Sequence, residues 1–463
     1  MFLRQILDPY LAQYAYLVGC QKTGEALIID PERDIDRYEQ LARENELRIT
    51  AVAETHIHAD FVSGAREFAQ GPDIRIYLSA EGGPDWTYRW PGDRPNTHPL
   101  RHGDRFHVGR IEIEAVHTPG HTPEHLGFLI TDRGSVAEEP IAMATGDFVF
   151  VGDVGRPDLL ESAIGMAGAM EPAARQLRES LKNRLAHFGD YLQLLPAHGA
   201  GSSCGKSLGA VPTTTLGYER RTNRALQLAL EDAEKFVANI LTGQPEPPLY
   251  FARMKRLNRD GARTGGPAAP PELDASAFAE RMAKADTRIV DAREDRIAFD
   301  AAHVAGSLHA PLRSPLFTAG VGSFLSETDA ILLVLGKPDD LDLARRQLYR
   351  IGFDRLAGWI AASNAGDLMT SAIPRIDFAG LEQSPPDGVI LDVRSSAEFH
   401  GDHLEGARSF PYTRLKTRLH ELPKNERLLV HCGAGRRSAM AASFLSAQGF
   451  DVVHVNGGRA KWR

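Results

Sequence analysis

Apolar and polar residues alternate along much of the first half of the chain in a pattern typical of β-strands. The runs EALIIDP, RITAVAET, IRIYLS, DRFHVGRIEIEAVHTPG and PIAMATGDFVF are short and bounded by turn residues, so they predict strands. The later run TNRALQLALEDAEKFVANILTG repeats its apolar residues at helical spacing and stops at a glycine. This part of the chain is therefore predicted to combine sheets with helices.

The pattern breaks at residues 255–276, KRLNRDGARTGGPAAPPELDAS. This stretch is rich in Gly, Pro and Ala and almost lacks periodic apolar residues. It predicts a linker, which we place at residues 256–271. The first domain is then expected to occupy residues 1–255.

The chain nearly repeats itself after the linker. RIVDAREDRIAFDAAHVAGSLHAP, residues 288–311, parallels GVILDVRSSAEFHGDHLEGARSFP, residues 388–411, and in both a buried strand ends in Asp-x-Arg. A later apolar strand follows in each copy, in AILLVLGKPDD and in RLLVHCGAGRRSAMAASFLSAQG. Alternation of strand, helix and strand predicts two small α/β domains with parallel sheets, at residues 272–364 and 375–463.

Composition narrows the class of protein. The 463 residues suggest roughly three domains at about 150 residues each. A net charge of -8 gives no basic surface for nucleic acid. The N-terminal run MFLRQILDPYLAQYAYLV contains Arg4 and Asp8, so we expect neither a signal peptide nor a membrane span. Only three cysteines occur, which favours a reducing compartment, the cytoplasm.

Histidines and aspartates follow several of the predicted strands. They occur in ETHIHADFVSG, HTPGHTPEHLGF, TGDFVF and LPAHGAGSSCG, and the candidates are His56, His58, Asp60, His121, Asp147 and His198. Ligands that converge from separate strand ends are how a sheet builds a cation site. These clusters predict a metal centre in the first domain.

The spacing of these motifs resembles the metallo-β-lactamase superfamily, whose fold is an αββα sandwich. In members of that superfamily with two metals, such as glyoxalase II thioester hydrolases, an Asp-His pair binds the second metal. Here that pair is Asp60 and Phe61. A phenylalanine cannot donate to a metal, so a second metal is disfavoured.

The other candidate ligands are similar to those of the persulfide dioxygenase branch of that superfamily. This similarity implies one Fe(II) per chain, with His56, His121 and Asp147 as its ligands. Two histidines and one carboxylate leave neighbouring positions open for a sulfur ligand and O2. His58, His198 and Asp60 would then orient ligands or substrate. The motif GDVGRPDL also resembles this branch, and its Arg156 is expected either to form an ion pair inside the fold or to contact substrate charge.

Near the C-terminus, LLVHCGAGRRS places Cys432 directly after an apolar strand. Gly433 and Gly435 free the backbone of the following loop, and Ser438 opens a helix. Inward-pointing amides, with Arg436 and Arg437, would favour the thiolate and hold an anionic persulfide or sulfite. A nucleophilic cysteine is expected here.

This loop resembles the rhodanese active site, and LDVRSSAEFHGDHLEGARSFP and the terminal NGGRAKW resemble its flanking motifs. A tyrosine phosphatase is the weaker alternative, because that family spaces Cys and Arg by five residues and here Arg437 follows Cys432 after four. In the first copy Gly336 occupies the corresponding position, so we expect a structural role for that domain. Cys204, in the loop after His198, is expected either to relay a persulfide beside the metal or to pack inertly.

Together these features predict an α/β multidomain protein, an αββα metallo-β-lactamase sandwich followed by two rhodanese-like α/β domains. The resemblance implies a cytoplasmic homo-oligomer that oxidises a low-molecular-weight thiol persulfide with O2 to sulfite, while Cys432 transfers a second sulfur to sulfite to give thiosulfate. Two alternatives stay open. One is a glyoxalase II-like dinuclear zinc hydrolase with an appended sulfurtransferase, and the other is a non-enzymatic persulfide carrier.

Overall fold

The computed structural model describes residues 1–135, 137–163, 165–383 and 387–458. The last residues of the NGGRAKW motif, from 459 onward, lie outside this part. The chain divides into two compact units, the first formed by Met1–Gln244 and Phe251–Gly266 and the second by Pro245–Tyr250 and Pro267–Arg463.

The first unit contains two six-stranded sheets. One has the order β1 to β6, with strands β1 (Phe2–Asp8), β2 (Gln13–Cys20), β3 (Glu25–Ile29), β4 (Arg48–Ala53), β5 (Arg75–Ser79) and β6 (Thr97–Leu100). The other runs from β12 back to β7, with strands β7 (Arg105–Val108), β8 (Ile111–His117), β9 (Leu126–Asp132), β10 (Ala142–Gly146), β11 (Gln193–Pro196) and β12 (Thr214–Thr215).

Burial along β2 shows how the layers pack. Tyr16 and Val18 join a buried cluster that includes Phe128 and Ile130 of the other sheet. Leu17, which points to the opposite face, packs in a cluster with residues of the first helix. Since successive strand residues face opposite sides, both faces of the sheet are covered, one by the second sheet and one by helices. The predicted αββα sandwich is confirmed.

Eight helices accompany these sheets in the described part of the first unit. They are α1 (Asp36–Glu44), α2 (Ala65–Phe68), α3 (Leu159–Ser162), α4 (Met170–Arg184), α5 (Leu216–Thr222), α6 (Arg224–Glu231), α7 (Ala233–Leu241) and α8 (Phe251–Arg256). The long apolar run of the sequence forms both α6 and α7. Asp232 separates them because its backbone is extended and its side chain accepts the hydrogen bond from the amide of Lys235 that caps α7. Within the described residues no helix has the length and apolar character needed to cross a membrane.

The second unit contains two parallel sheets that share the order of four strands, and the second sheet has β17 as an additional edge strand. The first has the order β14, β13, β15, β16, with strands β13 (Thr287–Asp291), β14 (Ser307–His309), β15 (Ala330–Leu335) and β16 (Leu356–Ala361). The second has the order β19, β18, β20, β21, β17, with strands β17 (Arg375–Asp377), β18 (Val389–Asp392), β19 (Arg408–Ser409), β20 (Leu428–His431) and β21 (Val452–Asn456). The ladders between these strands are parallel, as predicted.

The helices of the second unit are α9 (Ala275–Met282), α10 (Arg296–Ala301), α11 (Phe317–Phe324), α12 (Leu341–Arg350), α13 (Phe378–Gln383), α14 (Ser396–Gly401) and α15 (Arg436–Ala447). Single turns of 3-10 helix lie at Pro338–Asp340, Ala362–Asn364 and Gly366–Leu368, with one in the first unit at Pro84–Trp86, and a longer 3-10 segment lies at Tyr412–Glu421.

The repeated Asp-x-Arg motif forms the same clamp in both copies. Arg293 pairs with Asp291 at 2.7 Å and donates a 2.9 Å hydrogen bond to the carbonyl of Ala302. Arg394 pairs with Asp392 at 2.7 Å and donates to the carbonyl of Asp402 at 2.6 Å. Each arginine thus ties the end of a strand to the end of the helix that follows it.

The segment predicted as a linker differs from that expectation. Leu257–Gly261 forms a π-helical turn, and residues up to Gly266 pack in the first unit. Arg66 and Arg33 hold this segment by donating hydrogen bonds to the carbonyls of Ala262 and Arg263. Its Gly and Pro content signals irregular backbone, and here side-chain hydrogen bonds from the first unit order that backbone.

Candidate functional site

Three residues that follow separate strands meet at one point in the first unit. His56 follows β4, His121 follows β8 and Asp147 directly follows β10. Each offers one ligand atom, and these atoms all lie within 4.8 Å of one another. Nε2 of His121 is 3.3 Å from Oδ2 of Asp147, and Nε2 of His56 is 4.0 Å from the same oxygen. All three side chains are buried.

Hydrogen bonds at the far side of each ring direct its free nitrogen toward Asp147. The hydroxyl of Thr55 donates to Asp30, so it accepts from Nδ1 of His56, at 2.9 Å. Nδ1 of His121 donates to the carbonyl of Arg156 at 3.2 Å. Both rings are thereby held in the tautomer that leaves the Nε2 lone pair open, as in metal-binding histidines.

The charge state of the group also suits a cation. Burial lowers the pKa of His121 to about 4 and lowers the pKa of His56 well below its ordinary value, which favours neutral imidazoles. Burial raises the pKa of Asp147 to about 6, and both of its carboxylate oxygens are buried without a hydrogen-bond partner. Such oxygens are costly to leave unpaired, and a bound metal ion would satisfy them.

His58 makes different contacts. Its Nε2 lies 3.0 Å from Glu54 and 3.2 Å from Asp30, while its Nδ1 is buried without a partner. Burial alone would lower the pKa of His58, but the Asp30 and Glu54 carboxylates hold it well above its ordinary value. These two carboxylates orient the ring through its Nε2 atom. The Phe61 ring packs on it, with ring centroids 4.3 Å apart.

A second group of possible ligands adjoins the first. Ligand atoms of Asp60, His198 and Cys204 lie within 4.8 Å of one another. Nε2 of His198 is 3.5 Å from Asp60 and 3.4 Å from Oδ1 of Asp147, and its Nδ1 donates to the carbonyl of Ala12. Cys204 therefore brings a thiol to a group that lacks the imidazole replaced by Phe61. The sequence left Cys204 open between a persulfide relay beside the metal and inert packing, and it did not predict that the thiol lies among possible ligands of a second ion.

The environment of Cys204 favours the neutral thiol. Burial, reinforced by the carboxylates of Asp147 and Asp60, raises the pKa of the thiol well above its ordinary value. A neighbouring cation would reverse this preference, because it stabilises the thiolate.

Arg156 forms an ion pair inside the fold. It donates two hydrogen bonds to Asp158, at 2.9 and 2.6 Å, and a third to the carbonyl of Ser203 at 2.8 Å. The side chain is almost fully buried. Arg156 thus supports the loop that carries Cys204, and its backbone carbonyl orients His121.

Asn258 is a site residue that sequence reasoning missed. Its Nδ2 donates to the carbonyls of His58 and Phe61, and its Oδ1 accepts from the amide of Ser63, each at 2.8 Å. It thus holds the backbone of the histidine loop from a segment whose composition suggested a linker. No signal in the sequence marks this asparagine.

The cysteine loop of the second unit forms a cradle for sulfur. Sγ of Cys432 accepts from the amides of Gly435, at 3.1 Å, and of Ser438, at 3.4 Å, and its thiol faces the Ser438 hydroxyl at 3.5 Å. Gly435 has φ +84, and a Cβ there would lie 2.8 Å from the amide nitrogen of Gly457. Gly433 is buried in the same loop. The first sheet of this unit has Gly336 after β15 and no thiol.

The two arginines of this loop differ in their contacts. Arg437 forms two hydrogen bonds with Glu398, at 2.6 and 2.8 Å. Although burial opposes ionisation, this pairing lowers the pKa of Glu398 to about 2. Arg436 is exposed. The charge of Arg437 is therefore shared with a carboxylate, while that of Arg436 is available.

The stacked sheets with outer helices, and a buried histidine–aspartate group at the strand ends, define an αββα protein with a candidate metal centre. The model of the metallo-beta-lactamase superfamily matches residues 9–198, and that of the rhodanese-like domain matches residues 379–463. The chain belongs to the metallo-beta-lactamase superfamily and carries a C-terminal rhodanese-like domain.

Similar proteins agree with this assignment. The crystal structure of a metallo-beta-lactamase from Staphylococcus aureus is 38% identical, with a TM-score of 0.68, and covers 78% of this chain and 99% of that one. Mitochondrial persulfide dioxygenase ETHE1 of Homo sapiens is 26% identical over 248 residues, which is 53% of this chain and 84% of the relative. The probable polyketide biosynthesis zinc-dependent hydrolase BaeB of Bacillus velezensis is 24% identical over 42% of this chain and 77% of its own length.

Proposed function

We propose that the chain is a persulfide dioxygenase joined to a sulfurtransferase. In the first step a low-molecular-weight thiol persulfide, RSSH, reacts with O2 and water to give the free thiol, RSH, and sulfurous acid, which ionises to sulfite. The outer sulfur is oxidised and O2 is reduced. The observation that carries this proposal is the buried group of His56, His121 and Asp147, whose two histidines and one carboxylate are typical of non-heme iron oxygenases. Similarity to persulfide dioxygenase ETHE1 supports it.

One Fe(II) per chain is the proposed cofactor, with His56, His121 and Asp147 as its ligands. Iron in this position would supply the redox chemistry that joins O2 to sulfur. The chain's own contribution is to hold both Nε2 lone pairs inward through Thr55 and the carbonyl of Arg156. The adjoining His58, Asp60 and His198 would orient ligands and substrate, and Cys204 is a candidate relay for sulfur.

The proposed second reaction takes place at Cys432. Its thiolate attacks the outer sulfur of a second persulfide, the S–S bond breaks, RS⁻ leaves, and a Cys432 persulfide forms. Sulfite then attacks the outer sulfur of that persulfide, which regenerates the Cys432 thiolate and yields thiosulfate. The amides of Gly435 and Ser438 support the step because they stabilise negative charge on sulfur. Coupling the two reactions would remove sulfide-derived persulfide from the cytoplasm, where three unpaired cysteines would stay reduced.

The decisive experiment measures O2 uptake, iron content and thiosulfate together on the purified chain with a thiol persulfide. His121→Ala should abolish O2 uptake and lower iron content. Cys432→Ser should keep O2 uptake and lose thiosulfate. His107→Ala is the matched control, because His107 is an exposed histidine of β7. Persulfide turnover in wild type that needs no O2 would contradict the proposal. Gel filtration of the same sample tests the expected homo-oligomer.

A dinuclear zinc hydrolase is the second candidate function. The group of Asp60, His198 and Cys204 beside Asp147 favours it, since it offers donors for a second ion. Similarity to a probable zinc-dependent hydrolase points the same way. Two zinc ions per chain together with thioester hydrolysis would establish this candidate over the dioxygenase.

A further inference from the structure

The second unit contains a cavity of about 240 Å³ on one side of the cysteine loop. Both repeats line it. Arg296, Arg313 and Leu316 come from the repeat without the cysteine, and Arg436, Ala439 and Met440 come from the start of α15. The wall thus combines guanidinium groups with apolar side chains, and it also carries one carboxylate, that of Glu294.

The cavity carries a net positive charge. Arg313 is paired with Asp340 and Glu294, so its charge is offset. Arg296 and Arg436 have no carboxylate within ion-pair distance among the described residues. His309, also on the wall, adds no charge, because burial lowers its pKa to about 3. Two unpaired arginines beside an apolar wall suit an organic anion better than a bare inorganic ion.

Arg296 connects the cavity with the cysteine loop. Its Nε donates to Oδ1 of Asn456 at 2.7 Å, at the end of β21. The same nitrogen lies 3.3 Å from where a Cβ on Gly435 would be. Since the amide of Gly435 donates to Sγ of Cys432, an arginine of the first repeat lies against the backbone that binds the sulfur.

A buried pair links the two repeats at the same loop. Asp300, the residue before the end of α10, accepts from Nδ1 of His454 at 2.7 Å. Nε2 of His454 lies 3.2 Å from the carbonyl of Gly435. The first repeat therefore fixes the position of the cysteine loop as well as facing the cavity beside it.

We propose that this cavity binds the anionic tail, a carboxylate or a phosphate, of the thiol persulfide that delivers sulfur to Cys432, with Arg296 and Arg436 as its binding residues. The proposal rests on the sulfurtransferase activity proposed above and names its donor class. The repeat without a cysteine thereby acts as the donor-binding half of the site. The apolar wall contacts the carbon chain of the donor, and the guanidinium groups bind its charge.

The test compares a charged and an uncharged donor, glutathione persulfide and 2-mercaptoethanol persulfide, with saturating sulfite. Reactions are run without O2, so that the dioxygenase does not consume the donor, and thiosulfate is measured. Arg296→Ala and Arg436→Ala should each raise KM for glutathione persulfide about tenfold, since each removes a charge-assisted hydrogen bond. KM for 2-mercaptoethanol persulfide should change much less, so the ratio of the two KM values should rise about tenfold, whereas a displaced cysteine loop would affect both donors alike. Arg296→Lys keeps the positive charge, so its KM for glutathione persulfide should stay close to the wild-type value.

The matched control is Arg355→Ala. Arg355 is an exposed arginine of the first repeat that pairs with Asp286. Its replacement should leave both KM values unchanged. Equal effects of Arg296→Ala on the two donors, or an effect on KM for sulfite alone, would overturn the proposal.

A binding measurement separates this proposal from the activity on which it rests. In Cys432→Ser, titration with S-methylglutathione reports on the cavity without any sulfur transfer. Adding Arg296→Ala should weaken that binding about tenfold. If wild type forms no thiosulfate from either donor, the sulfurtransferase proposal fails, while this titration still decides whether the cavity holds an anionic thiol. Unchanged binding in Arg296→Ala would refute the cavity assignment alone.

Discussion

Asn258 donates a 2.8 Å hydrogen bond to the backbone carbonyl of Phe61. The same side chain binds the carbonyl of His58 and the amide of Ser63, so one buried residue spans the loop that begins with the metal-site histidines. The geometry of the candidate metal centre therefore depends on a residue that lies 195 to 200 positions further along the chain.

Asn258→Ala should destabilise the protein and weaken iron binding. The change leaves two carbonyls and one amide without a partner in a buried region, at a cost of about 2–4 kcal/mol. Thermal unfolding measures the first effect, and competition with an iron chelator measures the second. Asn183→Ala, at an exposed asparagine of α4, is the control and should be neutral. An iron affinity equal to that of wild type in Asn258→Ala would show that the loop holds its shape without this contact.

Phe61→His should raise the metal content. If the phenylalanine ring excludes a second ion, an imidazole there adds a donor next to Asp60, and the ratio should rise from about one toward about two metals per chain. Elemental analysis after loading with zinc measures the ratio. Phe61→Leu, which stays apolar, should remain at the wild-type ratio. A wild type that already binds two ions would show that Phe61 does not exclude the second metal.

Cys204→Ser separates the two candidate roles of this thiol. For a sulfur relay, the iron content should stay as in wild type and the turnover of persulfide should fall. For a ligand of a second ion, metal content should fall instead, because a hydroxyl is a much weaker ligand than a thiolate. Metal analysis and O2 uptake on one preparation distinguish the outcomes. Cys20→Ser serves as the control, since Cys20 is not part of any candidate metal group among the described residues.

Glu398→Gln should make the protein less stable at neutral pH, with a difference that shrinks in acid. The pKa of Glu398 in the folded state is about 2, against an ordinary value of 4.5. A carboxylate with a depressed pKa contributes stability that is complete above its unfolded pKa and is lost as the pH falls through its folded pKa. Denaturant unfolding at pH 7 and at pH 4 should therefore show a larger gap between wild type and variant at pH 7. An equal stability difference at both pH values would mean that the charge of Glu398 does not contribute to stability through its pair with Arg437.

Much of the fold follows from local pattern. Short apolar runs predicted the strands, and the alternation of strand, helix and strand in two similar copies predicted the two parallel sheets. The repeated Asp-x-Arg motif marked the two copies, and its contacts are local because each arginine pairs with the aspartate of its own motif. The grouping of His56, His121 and Asp147 was predictable for a similar reason. Each follows an apolar strand, and strand ends meet at one edge of a sandwich.

Contacts between distant segments were beyond such reasoning. Asn258 lies in a stretch whose composition predicts a linker, and its role depends on hydrogen bonds to a loop far away in sequence. The sequence alone also could not show that Arg436 and Arg437 differ in their charge partners. Both follow the same cysteine, and only the approach of Glu398 from α14 shows which of the two is neutralised.

The placement of residues 251–266 affects how the protein can be divided. A cut at residue 255, where composition changes, would leave the histidine loop without Asn258 and expose its buried carbonyls. An N-terminal fragment ending there would then show poor metal retention for a reason unrelated to its ligands. A fragment that extends through Gly266 keeps the hydrogen bonds of Asn258 to this loop. Because these contacts order the segment, limited proteolysis of the intact chain should spare the peptide bonds near Asn258 and cut elsewhere.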